Sequence, residues 1–161
     1  MTQASDLRGA TICIAKAGLA AGSTTTYTTA AATGGSIAGK FATALGAQTN
    51  TATPTTDATT GAAFVALAAN EGSVFVFSIN SAGTIKVHQG SIESCDNSGN
   101  FSVAPSFPSI NLETYLPFGY VVIKADSTAS AWTFGSSNWT ATGITDTYTD
   151  VTTLPLRPQT S

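Results

Sequence analysis

The residues that could do chemistry are few, and each lacks a partner that its chemistry requires. His88 is the single histidine, so any Ser-His-Asp relay would have to run through it. It lies between Val87 and Gln89 with no G-x-S-x-G motif nearby, and it reads as a solvent-facing strand residue. Gly34 to Phe41, GGSIAGKF, approaches the phosphate-binding pattern G-x-x-x-x-G-K-[ST]. The last position of that pattern must offer a hydroxyl to Mg²⁺, and here it is Phe41. The segment before it is rich in Thr and Ala and is not an apolar parallel strand, so a glycine-rich turn is expected. One histidine and the remote Cys13 and Cys95 cannot supply a four-ligand zinc site without carboxylates. Asp96-Asn97-Ser98-Gly99-Asn100 offers oxygens but lacks the spaced acids and closing Glu of a calcium loop, and reads as a turn. Glycoside hydrolysis needs two facing carboxylates. Glu71, Glu93 and Glu113 instead neighbour turns or loops, where solvated charges are the rule. Trp132, Phe134, Trp139, Tyr115 and Tyr120 suit a sugar-stacking platform or, more commonly, a sandwich core. No catalytic, cofactor-binding or metal-binding residue is assigned, and the chain reads as a non-enzyme.

Composition points the same way. The 161 residues suit one domain with a real core. Only 9% of them are charged, against about 25% in ordinary soluble domains. With a mean hydropathy of +0.17, the surface must consist largely of hydroxyls, methyls and backbone. Such a surface suits a β-rich protein covered by neighbours, or a component of an extracellular particle. The net charge of −3 and the scattering of Arg8, Lys16, Lys40, Lys86, Lys124 and Arg157 speak against nucleic-acid binding, which needs clustered cations. No apolar run approaches the roughly 20 residues that span a bilayer. Met1 to Asp6 lacks the charged and apolar regions of a signal peptide. Two distant cysteines predict buried free thiols in a reducing cytoplasm and not a disulfide scaffold.

The elements that would position these residues are strands. Val74-Phe75-Val76-Phe77 is a continuous apolar run, followed by the turn residues Asn80-Ser81-Ala82-Gly83. Ile85, Val87 and Gln89 then alternate with Lys86, His88 and Gly90 at the period of a half-buried strand. With Phe64, Val65 and Leu67 upstream and a turn at Asn70-Glu71-Gly72, this predicts a β-meander in which Val74, Val76, Ile85 and Val87 line one buried sheet. Thr11 to Ala17 predicts a strand, Leu19 to Gly22 a turn, and Ser23 to Thr29 a Thr-rich strand. Ile37 to Leu45 fits helical spacing as well, but Gly39 weakens a helix by about 1 kcal/mol, and two short strands turning near Ala38-Gly39 are expected. Gly119 to Ala125 and Thr145 to Val151 read as strands, and Trp132 to Gly135 and Trp139 to Ile144 as strand fragments. Pro105, Pro108 and Pro117 mark Ala104 to Gly119 as a connection. The organisation expected is an N-terminal arm (1–10), a β-domain (11–152) containing a long Thr-rich loop (49–60), and a C-terminal arm (153–161). The fold class is all-β, a single antiparallel β-sandwich or jelly-roll-like barrel.

Several runs resemble small structural proteins of tailed bacteriophages. They are Gly61 to Gly72, Val74-Phe75-Val76, Asn80 to Thr84, Gln89-Gly90, Pro117 to Lys124, Trp132 to Asn138, Gly143-Ile144-Thr145 and Leu154-Pro155. Ile37-Ala38-Gly39-Lys40-Phe41 is similar to the Ile-Asp-Gly-Lys-aromatic segment of such proteins, with Ala38 where Asp is usual. The resemblance spans roughly residues 10 to 158 and implies a non-enzymatic virion component made in the host cytoplasm. It points to a capsid decoration (cement) protein on the outer head that bridges subunits of the major capsid protein, itself a dimer or trimer. The alternatives are a tail or head-fibre component, or a carbohydrate-binding β-module using Trp132 and Trp139. In the C-terminal arm, Leu154, Leu156 and Arg157 offer anchors for a partner, and Pro155 and Pro158 reduce the entropy lost on ordering it.

Overall fold

The computed structural model describes residues 9–160; all but the last two residues of the expected N-terminal arm, and Ser161, lie outside this range. The fold is all-β and antiparallel, a β-sandwich built on one large sheet. In chain order the strands are β1 (Ile12–Cys13), β2 (Leu19–Ala21), β3 (Thr26–Thr29), β4 (Gly35–Ile37), β5 (Lys40–Phe41) and β6 (Gln48–Ala52), then β7 (Glu71–Asn80), β8 (Ile85–Ser94), β9 (Tyr115–Ala125) and β10 (Ile144–Asp150). The last four form a sheet in the order β10-β9-β7-β8, while the first six form two small sheets, β1-β4-β5 and β2-β3-β6.

The central strand explains the rest. Val74 to Phe77 reads as an unbroken apolar run because β7 is interior to its sheet and buried on both faces. Phe75, Phe77, Val87, Val121 and Ile123 point into the larger core, where the two small sheets supply Cys13, Leu19, Tyr27 and Ile37. Aromatic edges organise that core. Phe134 stacks on Phe75 at 4.6 Å and meets Phe64 edge-on at 4.9 Å and Trp139 at 5.4 Å, contacts worth about 0.5–1.5 kcal/mol each beyond their burial. Val74, Val76, Tyr120, Val122 and Val151 form a second cluster on the opposite face, covered by Phe101, Phe107, Ile110 and Leu154. The four residues expected to share one face are therefore divided: Val74 and Val76 look one way, Val87 and Ile85 the other. One register step reverses every side chain, and both faces turn out to be dry.

Local chemistry sets the corners. The β7–β8 turn closes through Gly83 at φ 75°, and the Asn80 carboxamide oxygen accepts from the amides of Ala82 and Thr84. The third strand of the expected meander is not Phe64 to Leu67. That segment forms only a bridge from Leu67 to Trp132, and β9 takes the place beside β7. Glu71 likewise opens β7 and does not turn. Leu19–Ala21 is a strand because it pairs with Tyr27–Thr29, and the turn falls at Ser23 to Thr25. The predicted loop over 49–60 begins inside β6, whose Thr51 and Ala52 pair with Tyr27 and Thr26. Trp132 to Gly135 and the stretch from Trp139 up to Ile144 are turns that carry core aromatics, and β10 begins at Ile144.

The C-terminal segment is less free than an arm. Pro158 is buried, the Tyr120 hydroxyl oxygen accepts from the amide of Gln159 at 2.9 Å, and Lys124 Nζ donates to the Thr160 carbonyl at 3.2 Å. The tail returns across β9 because that face of the sheet has no second sheet to cover it.

Candidate functional site

Polar groups gather around His88, and exposed apolar side chains border the C-terminal segment. His88 is not on the surface. It is 1% exposed, because the sheet face expected to be wet is covered here by Tyr115, whose ring meets the imidazole edge-on at 4.8 Å, and by the 55–61 loop. The loop seals the outer edge of β8. Asp57 bridges Val87, and the Ala58 amide donates to the Val87 carbonyl at 2.8 Å. Asp57 also holds the loop's own shape, accepting from the Thr59 amide and the Thr60 hydroxyl at 3.0 Å each. An uncovered edge strand would invite pairing with another chain, and this loop covers β8 at Val87 to Gln89.

The imidazole joins loop to sheet. Its Nδ1 lies 3.0 Å from Thr59 Oγ1 and its Nε2 lies 2.9 Å from Ser78 Oγ, while Ser78 Oγ donates to the Lys86 carbonyl. One arrangement satisfies every group: Thr59 donates to Nδ1, Nε2–H donates to Ser78, and Ser78 donates to the backbone. It requires a neutral ring. Burial pushes the His88 pKa down to about 4, against the opposing pull of Asp57 and with the help of Lys86. Ser78 is 0% exposed, so no substrate carbonyl reaches its hydroxyl, and the Asp57 carboxylate accepts from its own loop and from the Gln89 amide, not from the ring. The trio is a polar fastening.

The other candidates are equally consumed by structure. Gly34 to Phe41 forms the β4–β5 hairpin, turning at Ala38-Gly39 as expected and leading into no helix. Asp96 Oδ1 accepts from the amides of Ser98 and Asn100 at 2.8 Å each, bonds that hold its carboxyl below the usual range. Glu71 pairs with Ser94 and Glu93 with Gly72, so the two carboxylates leave opposite faces of the sheet and never confront each other. Glu113 stands apart and exposed before β9. Trp132 and Trp139 are 1% and 3% exposed, and their indole N–H groups donate to the carbonyls of Asn138 and Thr26; neither ring offers a face to a sugar. Tyr120 is buried and Tyr115 half-buried. Cys13 and Cys95 are buried free thiols. Among the described residues no group of three or more His, Cys, Asp and Glu side chains could hold a metal ion, and no helix is long and apolar enough to cross a membrane.

The three anchor residues separate. Leu154 is half-buried and packs against the second core cluster, so it belongs to the fold. Leu156 is 96% exposed, and with Arg157 it borders an open groove of about 400 Å³ whose other wall is Val103 to Ser106. Val103 is itself 63% exposed. Two large apolar side chains and one guanidinium thus frame a shallow depression with no catalytic group in it. No protein-family model, curated protein or solved structure matches the chain.

Proposed function

We propose that this chain is a non-enzymatic structural protein of a tailed-phage particle, a decoration protein that binds the outer head and stabilises it by bridging subunits of the major capsid protein. The observation that carries the reading is the exposure of large apolar side chains, Leu156 above all, on a rigid β-body of which only 9% is charged. Such a surface is poorly defended against association, and burying it against a neighbour shifts an assembly equilibrium by mass action. The engagement of His88, Ser78 and Asp57 in structural bonds is consistent with a protein that works by contact. The resemblance of Gly61 to Gly72, Pro117 to Lys124 and Trp132 to Asn138 to phage structural proteins supplies the kind of neighbour.

Copy number decides between the roles. Quantitative mass spectrometry of purified particles should find the chain in hundreds of copies per virion, in fixed ratio to the shell protein. A handful of copies would move it to the tail or a head fibre, and absence from the particle would end the reading.

A further inference from the structure

The two edges of the large sheet are finished differently. Along β8, neighbouring segments take up backbone groups that face away from β7. The Val87 carbonyl accepts from the Ala58 amide, the Ser91 amide donates to the Ser106 carbonyl, and the Ser94 carbonyl accepts from the Ser102 amide. Along β10 the outward groups are left open. The Val151 amide donates to the Phe118 carbonyl, and the Gly143 carbonyl accepts from the Asp126 amide. In this antiparallel ladder the odd-numbered residues therefore bond to β9, while Ile144, Asp146, Tyr148 and Asp150 turn their N–H and C=O groups away from it. Among the described residues, only the Ile144 amide of that outward set has a backbone partner, the Ala141 carbonyl.

The usual defences of an edge are missing too. β10 holds no proline or lysine, and its pairing with β9 runs without a bulge from Ile144 to Asp150. Ile144, Thr145, Thr147, Tyr148 and Thr149 are all strand formers. The strand is also nearly symmetric about Thr147, with Thr145 and Thr149 at equal distances on either side. A two-fold joint needs such a strand, because wherever residue i meets j, j must also meet i. The outward groups of two copies bond only when even-numbered residues oppose even-numbered ones. Of those registers, the one centred on Thr147 overlaps the whole strand. It sets Thr147 against its own copy, Thr145 against Thr149, Asp146 against Tyr148 and Ile144 against Asp150, which gives favourable Thr–Thr pairs and no directly opposed carboxylates. Centring on Asp146 opposes that residue to itself, and centring on Tyr148 opposes it to Asp150; like charges so placed are destabilising. Asp150 brings little free charge to the joint, since its carboxylate accepts from the amides of Gly18 and Leu19 at 3.1 Å each.

We propose that β10 pairs antiparallel with β10 of a second copy of this chain, in the register centred on Thr147, so that two four-stranded sheets become one continuous sheet of eight. Main-chain bonds supply the affinity, as in other cases of strand addition, and the side-chain pairs fix the register. The symmetry of the strand selects a second copy over a strand of another protein, whose pairing would require no such symmetry. The inference does not rest on the decoration reading, because the joint forms or fails in the isolated chain.

The test uses the full chain alone. Sedimentation equilibrium from about 1 µM to about 300 µM should show monomers passing into dimers. Asp146→Pro removes an outward N–H and leaves the bonds to β9 in place, so it should weaken dimerisation at least tenfold with an unchanged melting curve. Should it fail to fold, Thr147→Lys replaces it with the same expectation, since two cations then oppose each other across the axis. Disulfide capture reads the register. Opposed residues at 147 bring their Cα atoms to about 4.5 Å, within reach of a disulfide. Thr147→Cys should therefore cross-link to its own copy at least fivefold faster than Thr145→Cys, whose partner is Thr149; the native Cys13 and Cys95 thiols are buried. A chain that stays monomeric throughout would overturn the proposal. So would a folded Asp146→Pro or Thr147→Lys that dimerises like wild type, which would give the joint to another face, or equal capture at 145 and 147. None of these outcomes touches the decoration reading, which copy number in the particle decides.

Discussion

Acid should loosen this protein through His88, and the size of the effect follows from the ring's surroundings. The folded ring gives up its proton near pH 4, the unfolded one near 6.5. Between those values only the unfolded chain holds the extra proton, so its contribution to stability is complete above about pH 6.5 and is lost as the pH falls towards 4. A drop of about 2.5 units at about 1.4 kcal/mol per unit amounts to roughly 3 kcal/mol, little reduced by solvent because the side chain is 1% exposed. Protonation puts a hydrogen on Nδ1 where Thr59 now donates, so the 55–61 loop should be the first part released from β8. The perturbation is a pH series from 7 to 4 on wild type and on His88→Phe, followed by urea unfolding read through the buried Trp132 and Trp139. The variant loses the bonds to Thr59 and Ser78 and should be weaker at pH 7 by about 1–3 kcal/mol. The informative quantity is the change in that gap with pH, since carboxylates such as Asp96 and Asp126 titrate in both proteins and cancel. The gap should change by about 3 kcal/mol in favour of the variant on going to pH 4, vanishing or reversing sign. A gap constant to within about 0.5 kcal/mol, or an imidazole seen by NMR to titrate at its ordinary value, would refute a buried neutral ring.

Two further outcomes test the fold. Val76→Asp places a buried carboxylate among Val74, Tyr120 and Val122, opposite a His88 ring whose two nitrogens are already bonded to Thr59 and Ser78, and should abolish soluble folding; a soluble variant with a native melting curve would contradict the second core cluster. Deleting 156–161 removes a buried proline and the bonds to Tyr120 and Lys124, and should cost about 1–2 kcal/mol while leaving the domain folded. No measurable change in the urea midpoint would show that the tail does not cover β9.

Much of the architecture is legible in the order of residues alone. The apolar run at Val74–Phe77, the turn at Asn80–Gly83 and the turn near Ala38-Gly39 are local statements, made by β-branching, side-chain capping and glycine's backbone freedom. They point to β7 and β8 directly, and to β4 and β5 because Gly39 weakens the helix that the spacing of Ile37 to Leu45 also fits. The absence of a motif around His88 and the poverty of charge are likewise properties of the chain, present in the order and kinds of its residues.

What the chain could not say is which faces are dry. Alternation puts Val87 and His88 on opposite sides of β8, but it cannot tell that the side bearing His88 will be closed by residues from 55–61, 101–110 and the C-terminal segment. Those covering segments carry no periodic signal, since they bury single side chains such as Phe101, Ile110 and Leu154 and form no ladder. The same limit hid the exposure of Phe41. An aromatic residue after a glycine turn is core material by composition, and only the edge position of β5 in a three-stranded sheet leaves its ring in solvent. Leu154 and Leu156 differ by two positions in the sequence, yet one packs on the second cluster and the other stands free in solvent before the chain returns to β9 at Gln159.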